Sequence, residues 1–250
     1  MAPKTILITG ASSGIGAALA HAYAQGGVTL LLWGRDAQRL QEVASQCGAR
    51  GASVVSQAFD VRDVAGFAAL LGEADAAMPI DLAIFNAGLG GTAPDGAAAE
   101  TPEAARAVAE VNFVAPVVGA NVMAGAMAGR GRGQIVLVGS IAESYPLPMA
   151  PTYAATKAGL RLFAESLGMR LAKHGVTVTL VSPGFIDTPM SRQVTDPKPF
   201  LMTPQAAAAV IVRGVAAKAS VIVVPWQYGV IRALTDLLPR ALLRWVLSRT

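Results

Sequence analysis

The sequence predicts an α/β fold, in which helices cover both faces of a seven-stranded parallel sheet in a doubly wound arrangement. The chain has 250 residues, of which 53% are hydrophobic and 14% charged, so one large domain can bury its own core. Seven short apolar runs alternate with longer helical patterns. The short runs are apolar on both faces, as strands between two helix layers are. Repeated strand–helix alternation is typical of βαβ units.

Each predicted element follows from its composition and its flanking residues. The strands are β-branched or leucine-rich and cover residues 5–9, 28–33, 53–59, 81–85, 134–138, 176–181 and 221–224. The helical patterns between them cover residues 14–25, 37–46, 64–77, 102–128, 154–174 and 204–217. Pro102 and Pro204 each follow a threonine, which predicts a capped helix start with proline in the first turn.

Composition excludes several classes of function. A formal net charge of +4 is too small to indicate a nucleic-acid partner. Cys47 is the only cysteine, which excludes a disulfide framework or a thiolate metal cluster and suits a reducing cytosol. His21 and His174 lie in helical patterns, and no catalytic metal is expected. A signal peptide and an apolar run of ~18 residues are both missing, so the expected location is cytoplasmic.

A glycine-rich turn links the first predicted strand to the first helix. Glycines at these places permit a tight turn and close approach of the backbone to a pyrophosphate, which the helix N-terminus attracts. The spacing is G-x-x-x-G-x-G, and an ordinary strand-to-helix turn is the alternative. The residues predicted to hold the phosphates are Gly10, Ser12, Ser13, Gly14, Ile15 and Gly16.

The end of the second strand indicates which nucleotide binds. An acidic residue here would bind the ribose 2′-hydroxyl of NAD, whereas an arginine accommodates the 2′-phosphate of NADP. The chain has Gly34 followed by Arg35, and a guanidinium suits a phosphate. NADP(H) is therefore predicted over NAD(H). Two alternatives stay open, since Arg35 could pair with Asp36 or Asp60, and Asp36 could itself reach the ribose.

Tyr153 and Lys157 carry the predicted chemistry. They stand four residues apart at the start of a helix and share one face. An ammonium beside a phenol lowers the phenol's pKa, so Tyr153 could exchange protons near neutral pH. Ser140 follows the fifth strand, at the end where open α/β sheets bind ligands. A surface pair is the alternative for Tyr153 and Lys157 taken alone.

Together these motifs resemble the short-chain dehydrogenase/reductase family in its single-domain form. The resemblance covers roughly residues 4–225. It rests on the glycine turn, Asp60, Asn86-Ala87-Gly88, Asn112, Ser140 with Tyr153 and Lys157, and the run from Pro183 to Thr188. It implies a Rossmann fold with strand order 3-2-1-4-5-6-7.

The resemblance also implies a role for each matching residue. Tyr153 would be the general acid in carbonyl reduction and the base in alcohol oxidation, and Ser140 would orient the substrate oxygen. Lys157 would bind the nicotinamide ribose and lower the pKa of Tyr153. Asn112 would hold a water that relays protons. Further cofactor contacts are implied at Asp60 and Val61 for adenine, at Asn86, Ala87 and Gly88 centrally, and at Pro183, Gly184, Ile186 and Thr188 for nicotinamide.

Two residues depart from the family's pattern, and others suggest the substrate. Phe85 stands where the family often has an asparagine, and Glu143 stands where it commonly has a small residue. We expect Glu143 to point to solvent, with contact to a polar substrate as the alternative. The predicted substrate lining is apolar and favours an apolar ketone, aldehyde or secondary alcohol over a sugar. It comprises Ile141, Met149, Ile186 and Met190, with Phe200 to Met202 as further candidates.

Three functions compete for this fold. Hydride transfer is favoured because Ser140, Tyr153, Lys157 and Asn112 are all present. A catalytically silent NADP-binding sensor or scaffold would usually lack one of them. A sugar-nucleotide epimerase or dehydratase would need a larger C-terminal region. A homodimer or homotetramer is expected, paired through the long alanine- and glycine-rich helices.

Residues 226–250 are predicted to form an amphipathic helical extension of a cofactor-binding domain at residues 1–225. Polar residues recur every fourth position at Arg232, Asp236, Arg240, Arg244 and Ser248. The remainder is mostly apolar, and Pro239 should kink the helix. So wide an apolar face must be covered. Packing against protein is one interpretation. Insertion into a membrane surface, which Trp226 and Trp245 would suit, is the other.

Overall fold

A computed structural model describes residues 2–91, 97–194 and 197–236. Its strands are β1 (Thr5–Thr9), β2 (Thr29–Gly34), β3 (Ser53–Ala58), β4 (Leu82–Phe85), β5 (Gly133–Val138), β6 (Val176–Pro183) and β7 (Val221–Val224). Its α-helices are α1 (Gly14–Tyr23), α2 (Ala37–Gly48), α3 (Val64–Ala77), α4 (Pro102–Ala109), α5 (Ala115–Arg130), α6 (Pro151–Leu171), α7 (Pro204–Ala216) and α8 (Gln227–Asp236). Short 3-10 turns lie at Ile141–Glu143, Ala172–His174 and Ser191–Gln193.

The strands form one parallel sheet in the order β3-β2-β1-β4-β5-β6-β7, which confirms the predicted fold. β2 and β3 are added on one side of β1, whereas β4 pairs with its other side. β1 and β4 therefore flank the topological switch point, where such sheets bind ligands. β1 is in register with both neighbours, with Ile8 opposite Leu32 on β2 and Ile84 on β4.

Two apolar clusters cover the two faces of the sheet. Ile6 and Ile8 of β1 join one cluster with residues of α1, α2 and α7. Leu7 points to the other face and joins residues of α3, α5 and α6. This alternation along one strand is what two helix layers require. β3 differs from the prediction, because it is the edge strand and its residues are mostly exposed.

The helix predicted at residues 102–128 is interrupted by a π-helical segment at Glu110–Val114. Pro116 explains it: this residue has no N–H for the carbonyl of Asn112, and its ring crowds that carbonyl. The N–H of Ala115 instead bonds the carbonyl of Glu110, five residues back. By length and composition residues 102–130 could cross a membrane, yet half of their most apolar window is buried in the protein, as in a core helix.

Helix starts follow the predicted chemistry at two places. Thr101 accepts a hydrogen bond from Ala104 N at 3.2 Å, and Thr203 accepts one from Ala206 N at 3.2 Å. Proline lies in the first turn of both helices, α4 and α7.

α8 is the described part of the predicted C-terminal extension, and it packs against the rest of the same chain. Tyr228 is buried, and its hydroxyl donates to the Pro199 carbonyl at 2.7 Å. Trp226, Val230 and Ile231 are exposed. Residues 237–250, with the predicted kink at Pro239, lie outside the described residues.

Candidate active site

The glycine turn between β1 and α1 has no room for side chains. A Cβ at Gly10, where φ is +67°, would lie 2.8 Å from the Cα of Ala87. A Cβ at Gly16 would lie 2.2 Å from the Gly10 carbonyl oxygen. Asn86 holds the turn, since its Nδ2 donates to the carbonyls of Thr9 at 3.1 Å and Gly10 at 3.2 Å. The turn is a backbone cradle that packs directly against β4.

The N-terminus of α1 is open to an anion. Ser13 occupies its N-cap position but makes no side-chain capping bond. The first N–H groups of the helix therefore have no side-chain acceptor and face the turn with the positive end of the helix dipole. Ser12, Ser13, Gly14 and Ile15 are each half-buried, as a site for a pyrophosphate requires.

The acidic residues beside Arg35 are already paired. Asp36 caps α2 by accepting from Arg39 N at 3.0 Å, and its other oxygen lies 3.3 Å from Arg39 Nε. Asp60 accepts three hydrogen bonds from Arg62, and these lower the pKa of its carboxyl. Arg35 itself is exposed at the end of β2. Both carboxylates thus have hydrogen bonds to another arginine, and the charge of Arg35 also contributes to lowering the pKa of Asp60.

Asn112 is fully buried in the π-helical segment and bonds a neighbouring loop. Its Oδ1 accepts from Leu89 N, and its Nδ2 donates to the Leu89 carbonyl, both at 2.8 Å. The side chain thus holds the loop that continues from Asn86, Ala87 and Gly88. The backbone carbonyl of Asn112 lacks its usual intrahelical donor, because residue 116 is proline.

Ser140, Tyr153 and Lys157 come together beyond the end of β5. Ser140 starts the 3-10 turn, and its hydroxyl lies close enough to Tyr153 to lower the pKa of the phenol. Lys157 Nζ lies 5.7 Å from the centre of the Tyr153 ring and donates to the Val138 carbonyl at 3.0 Å. The spacing of four residues on α6 does place both side chains on one face.

The charges of this group differ from the sequence expectation. Burial raises the pKa of Tyr153, the Ser140 hydrogen bond lowers it in part, and Glu143 raises it further. Burial lowers the pKa of Lys157 to about 8. The expected lowering of the Tyr153 pKa by Lys157 is not found in this structure, because burial sets the direction of the shift and the Lys157 ammonium donates to the Val138 carbonyl.

The prediction that Glu143 points to solvent is wrong. Its side chain is 0% exposed. Oε2 accepts from Ser140 N at 3.3 Å, and Oε1 accepts from Ser182 Oγ at 2.7 Å and from Arg232 Nη1 at 3.0 Å. Both carboxylate oxygens accept hydrogen bonds inside the protein, since the short 3-10 turn directs the side chain back under Ser140.

The predicted nicotinamide-side residues follow β6. Pro183 ends that strand, and a Cβ at Gly184 would lie 2.3 Å from the Tyr228 ring. Ile186 is buried and pairs with Met202 in an isolated bridge. Thr188 Oγ1 accepts from Ser191 N at 3.2 Å, and its methyl carbon lies 3.0 Å from where a Gly14 Cβ would be. The segment therefore closes over the glycine turn.

The predicted substrate lining is only partly assembled in this structure. Ile141 is half-buried and lines a small cleft with Tyr145 and Tyr228. Met190 is 38% exposed and lies beside the loop at Gly88, with its Cε 3.9 Å from where a Cβ there would be. Met149 is 50% exposed.

Sequence reasoning missed several residues of the site. Glu100 accepts from Thr152 N at 3.1 Å and from the Thr152 hydroxyl, so it caps the helix that begins beside Tyr153. Its distance of 52 residues from Thr152 hides this role. Tyr145 lies close to Tyr153. Burial raises the pKa of Tyr145, and the neighbouring Tyr153 raises it further. The role of Arg232 as the partner of Glu143 could have been predicted only if Glu143 had been recognised as buried.

The fold and the site define an oxidoreductase built on a dinucleotide-binding sheet. Residues 4–199 match the sequence profile of the family described as short chain dehydrogenase. The chain is 33% identical to an uncharacterized oxidoreductase of Myxococcus xanthus (strain DK1622), over 97% of this chain and 95% of that protein. The chain belongs to the short-chain dehydrogenase/reductase family, whose members bind nicotinamide cofactors.

Solved structures give the same result. A short-chain dehydrogenase from Sphingobium yanoikuyae in complex with NADPH superposes with a TM-score of 0.81 at 27% identity, covering 95% of this chain and 97% of that one. The bulky-bulky ketone specific alcohol dehydrogenase from Comamonas testosteroni superposes with a TM-score of 0.79 at 26% identity, covering 95% and 96%.

Proposed function

We propose that the protein is an NADP(H)-dependent oxidoreductase that interconverts an apolar ketone or aldehyde and its alcohol, with Tyr153 as the general acid and base. The observation that carries the proposal is the convergence of Ser140, Tyr153 and Lys157 at the end of β5, at the same end of the sheet as the glycine cradle. The NADPH-bound relative and the ketone-specific relative support the cofactor and the substrate class respectively.

The cradle fits a dinucleotide. Gly10, Gly14 and Gly16 let the turn pack tightly where any Cβ would meet neighbouring protein atoms, and the uncapped start of α1 would bind the pyrophosphate. Arg35 would bind the 2′-phosphate, since Gly34 presents no carboxylate to repel it. Val61, Asn86, Ala87 and Gly88 would line the middle of the site, and Pro183, Gly184, Ile186 and Thr188 its nicotinamide end. Bound NADPH supplies the hydride.

Tyr153 would donate its proton to the substrate oxygen as the carbonyl is reduced. Ser140 would hold that oxygen by a hydrogen bond and so orient the carbonyl. Tyr153 is protonated at neutral pH, so it can serve as the acid in reduction, and stabilisation of the phenolate by Lys157 would offset the raised pKa. Lys157 would bind the ribose and stabilise the phenolate left behind, and the Asn112 carbonyl would hold a water that returns the proton.

We infer the substrate class from the predicted lining residues and from the two tyrosines of the small cleft beside Ile141. Ile141, Met190 and Met149 are apolar, as are Tyr145 and Tyr228 over most of their surface. Such a lining favours an apolar carbonyl over a sugar.

A homodimer or homotetramer is part of the proposal. α6 exposes Leu162 (63%) and Met169 (76%), and members of this family are commonly oligomeric. Light scattering at micromolar concentration should give a multiple of 25.5 kDa. A monomer mass would contradict the assembly.

The test is a panel of carbonyl compounds with NADPH absorbance as the readout. We expect turnover with apolar ketones or aldehydes, slower turnover with NADH, and little with sugars. Tight NADPH binding without turnover on any compound would instead identify a cofactor-bound sensor. If neither nucleotide binds, the proposal fails altogether.

A further inference from the structure

We propose that Glu143 and Arg232 are positioning residues for Ser140, and that α8 is thereby a structural part of the active site. The inference deepens the proposed function, since it concerns how the residue that orients the substrate oxygen is itself held. It concerns a residue, Arg232, beyond the region that matches the family profile.

The Glu143 carboxylate binds the backbone of Ser140 directly. Its Oε2 accepts from Ser140 N at 3.3 Å, while Ser140 Oγ accepts from Ala142 N at 3.2 Å. The two bonds form a capping box that fixes both the backbone and the hydroxyl of Ser140. Gly139 makes room for this arrangement, because a Cβ there would lie 2.6 Å from Glu143 Oε2.

A fully buried carboxylate needs partners on its other oxygen, and these come from two further elements. Ser182 on β6 donates at 2.7 Å, and Arg232 on α8 donates at 3.0 Å. Because removal of one partner leaves a buried charge uncompensated, the position of Glu143 depends on Arg232. Ser140 is therefore linked through Glu143 to Arg232 on α8, which lies 89 residues after Glu143 in the chain.

α8 is itself held against the site by Tyr228. The Tyr228 ring packs on Gly184, and its hydroxyl donates to the Pro199 carbonyl at 2.7 Å. Its ring also meets that of Phe200 edge-on at 5.6 Å. α8 thus joins the turn of Ser140 to the segment that follows Pro183, so a shift of α8 would move two walls of the site.

A purely structural role is separable, because the fold contains a second pair of the same kind. Asp75 and Arg130 pair at 2.5 Å, with side chains 9% and 24% exposed, against 0% and 21% for Glu143 and Arg232. That pair also clamps a backbone, since Asp75 accepts from Ile80 N and Arg130 donates to the Ile80 carbonyl. It lies on α3 and α5, away from Ser140, and provides the matched control.

The kinetic experiment uses the full chain, NADPH and the best carbonyl of the panel. Glu143→Gln cannot satisfy all three donors with one oxygen, and Arg232→Met keeps most of the side-chain length without the charge. We expect each to lower kcat roughly ten- to hundredfold through a displaced Ser140, with the NADPH Kd little changed. Asp75→Asn and Arg130→Met should lower Tm with kcat near wild type, and Arg232→Lys should restore most of the rate.

The pH profile adds a readout that a structural role would not move. Glu143 raises the pKa of both Tyr153 and Lys157, and the charged groups facing it are Arg232 and Arg161. Glu143→Gln should therefore shift the alkaline limb of kcat to lower pH, whereas the Asp75→Asn limb should stay in place.

Hydrogen exchange tests the coupling without any turnover. Arg232→Met should speed exchange of the amides at 140–144, and Arg130→Met should not. If wild type reduces carbonyls but Arg232→Met keeps wild-type kcat and exchange, the positioning role is overturned and the proposed function stands. If wild type shows no turnover, the proposed function fails, and the exchange result alone decides whether α8 holds the Ser140 turn.

Discussion

Arg35→Ala should convert a cofactor preference into near indifference. Arg35 is exposed at the end of β2, and the neighbouring acids Asp36 and Asp60 pair with Arg39 and Arg62 instead. Its guanidinium is therefore available for a 2′-phosphate. A charge-assisted hydrogen bond contributes about 1.5 to 3 kcal/mol, and exposure places this one at the lower end. We expect the Kd for NADPH to rise roughly tenfold.

Fluorescence titration with NADPH and NADH measures both constants on the same sample. The Kd for NADH should change less than about twofold, because NADH lacks the phosphate. Added salt should weaken NADPH binding in wild type more than in the variant, since the contact is between charges. Arg170→Ala, which removes an exposed arginine on α6, controls for net charge and should leave both constants unchanged.

Gly34→Asp tests the same site from the opposite direction. The new Cβ would lie 3.3 Å from Ser12 Oγ and 3.6 Å from Leu40 Cδ1, so a small shift of the Ser12 side chain accommodates it. The carboxylate should repel the 2′-phosphate and favour NADH. Equal effects of Arg35→Ala on NADPH and NADH, or wild-type binding of NADH as tight as that of NADPH, would refute the reasoning.

Three further predictions concern catalysis, pH and packing. Tyr153→Phe removes only the transferable proton, so single-turnover rates should fall at least about a hundredfold with NADPH binding intact, and near-native kcat would contradict the assigned acid. NADPH affinity should decrease as pH rises through about 8, where Lys157 loses its charge, and Lys157→Met should flatten that dependence in binding titrations. Gly119→Ala would place a Cβ 2.5 Å from the Phe85 ring and should cost about 1–3 kcal/mol in chemical denaturation. Gly125→Ala on the same helix, which meets nothing within 4 Å, should not destabilise.

The fold could be predicted because its signals are local. Most strands are short and rich in apolar residues, although β3 is the exposed edge strand Ser53–Ala58. The glycine turn, Thr101 and Thr203 mark helix starts within a few residues. The predicted elements are present in the structure, and most of them begin and end within three residues of the predicted positions. The π-helical segment was missed, although Pro116 inside a helical pattern was a readable signal for an interruption.

The arrangement of the polar side chains around Tyr153 and their pKa shifts could be predicted less well, because both depend on burial. A four-residue spacing correctly predicts that Tyr153 and Lys157 share a face. It contains no information on how deeply the pair is buried, and burial decides the direction of both pKa shifts. Glu100 shows the same limit, since its contact with Thr152 joins residues from separate segments.

The contacts of Glu143 could be predicted from the sequence only in part. Ser140-x-x-Glu143 is the spacing of a capping box, so the bond to Ser140 N was readable from four residues. The depth to which Glu143 is buried could not be predicted from this spacing, because it depends on β6 and α8 packing over the turn. The family profile ends at residue 199, whereas the arginine that neutralises Glu143 lies at 232. A carboxylate placed where the family commonly has a small residue thus requires a partner from the C-terminal segment. Glu143 and Arg232 therefore form one unit, and changing Arg232 leaves the buried Glu143 carboxylate without the arginine that binds it beneath Ser140.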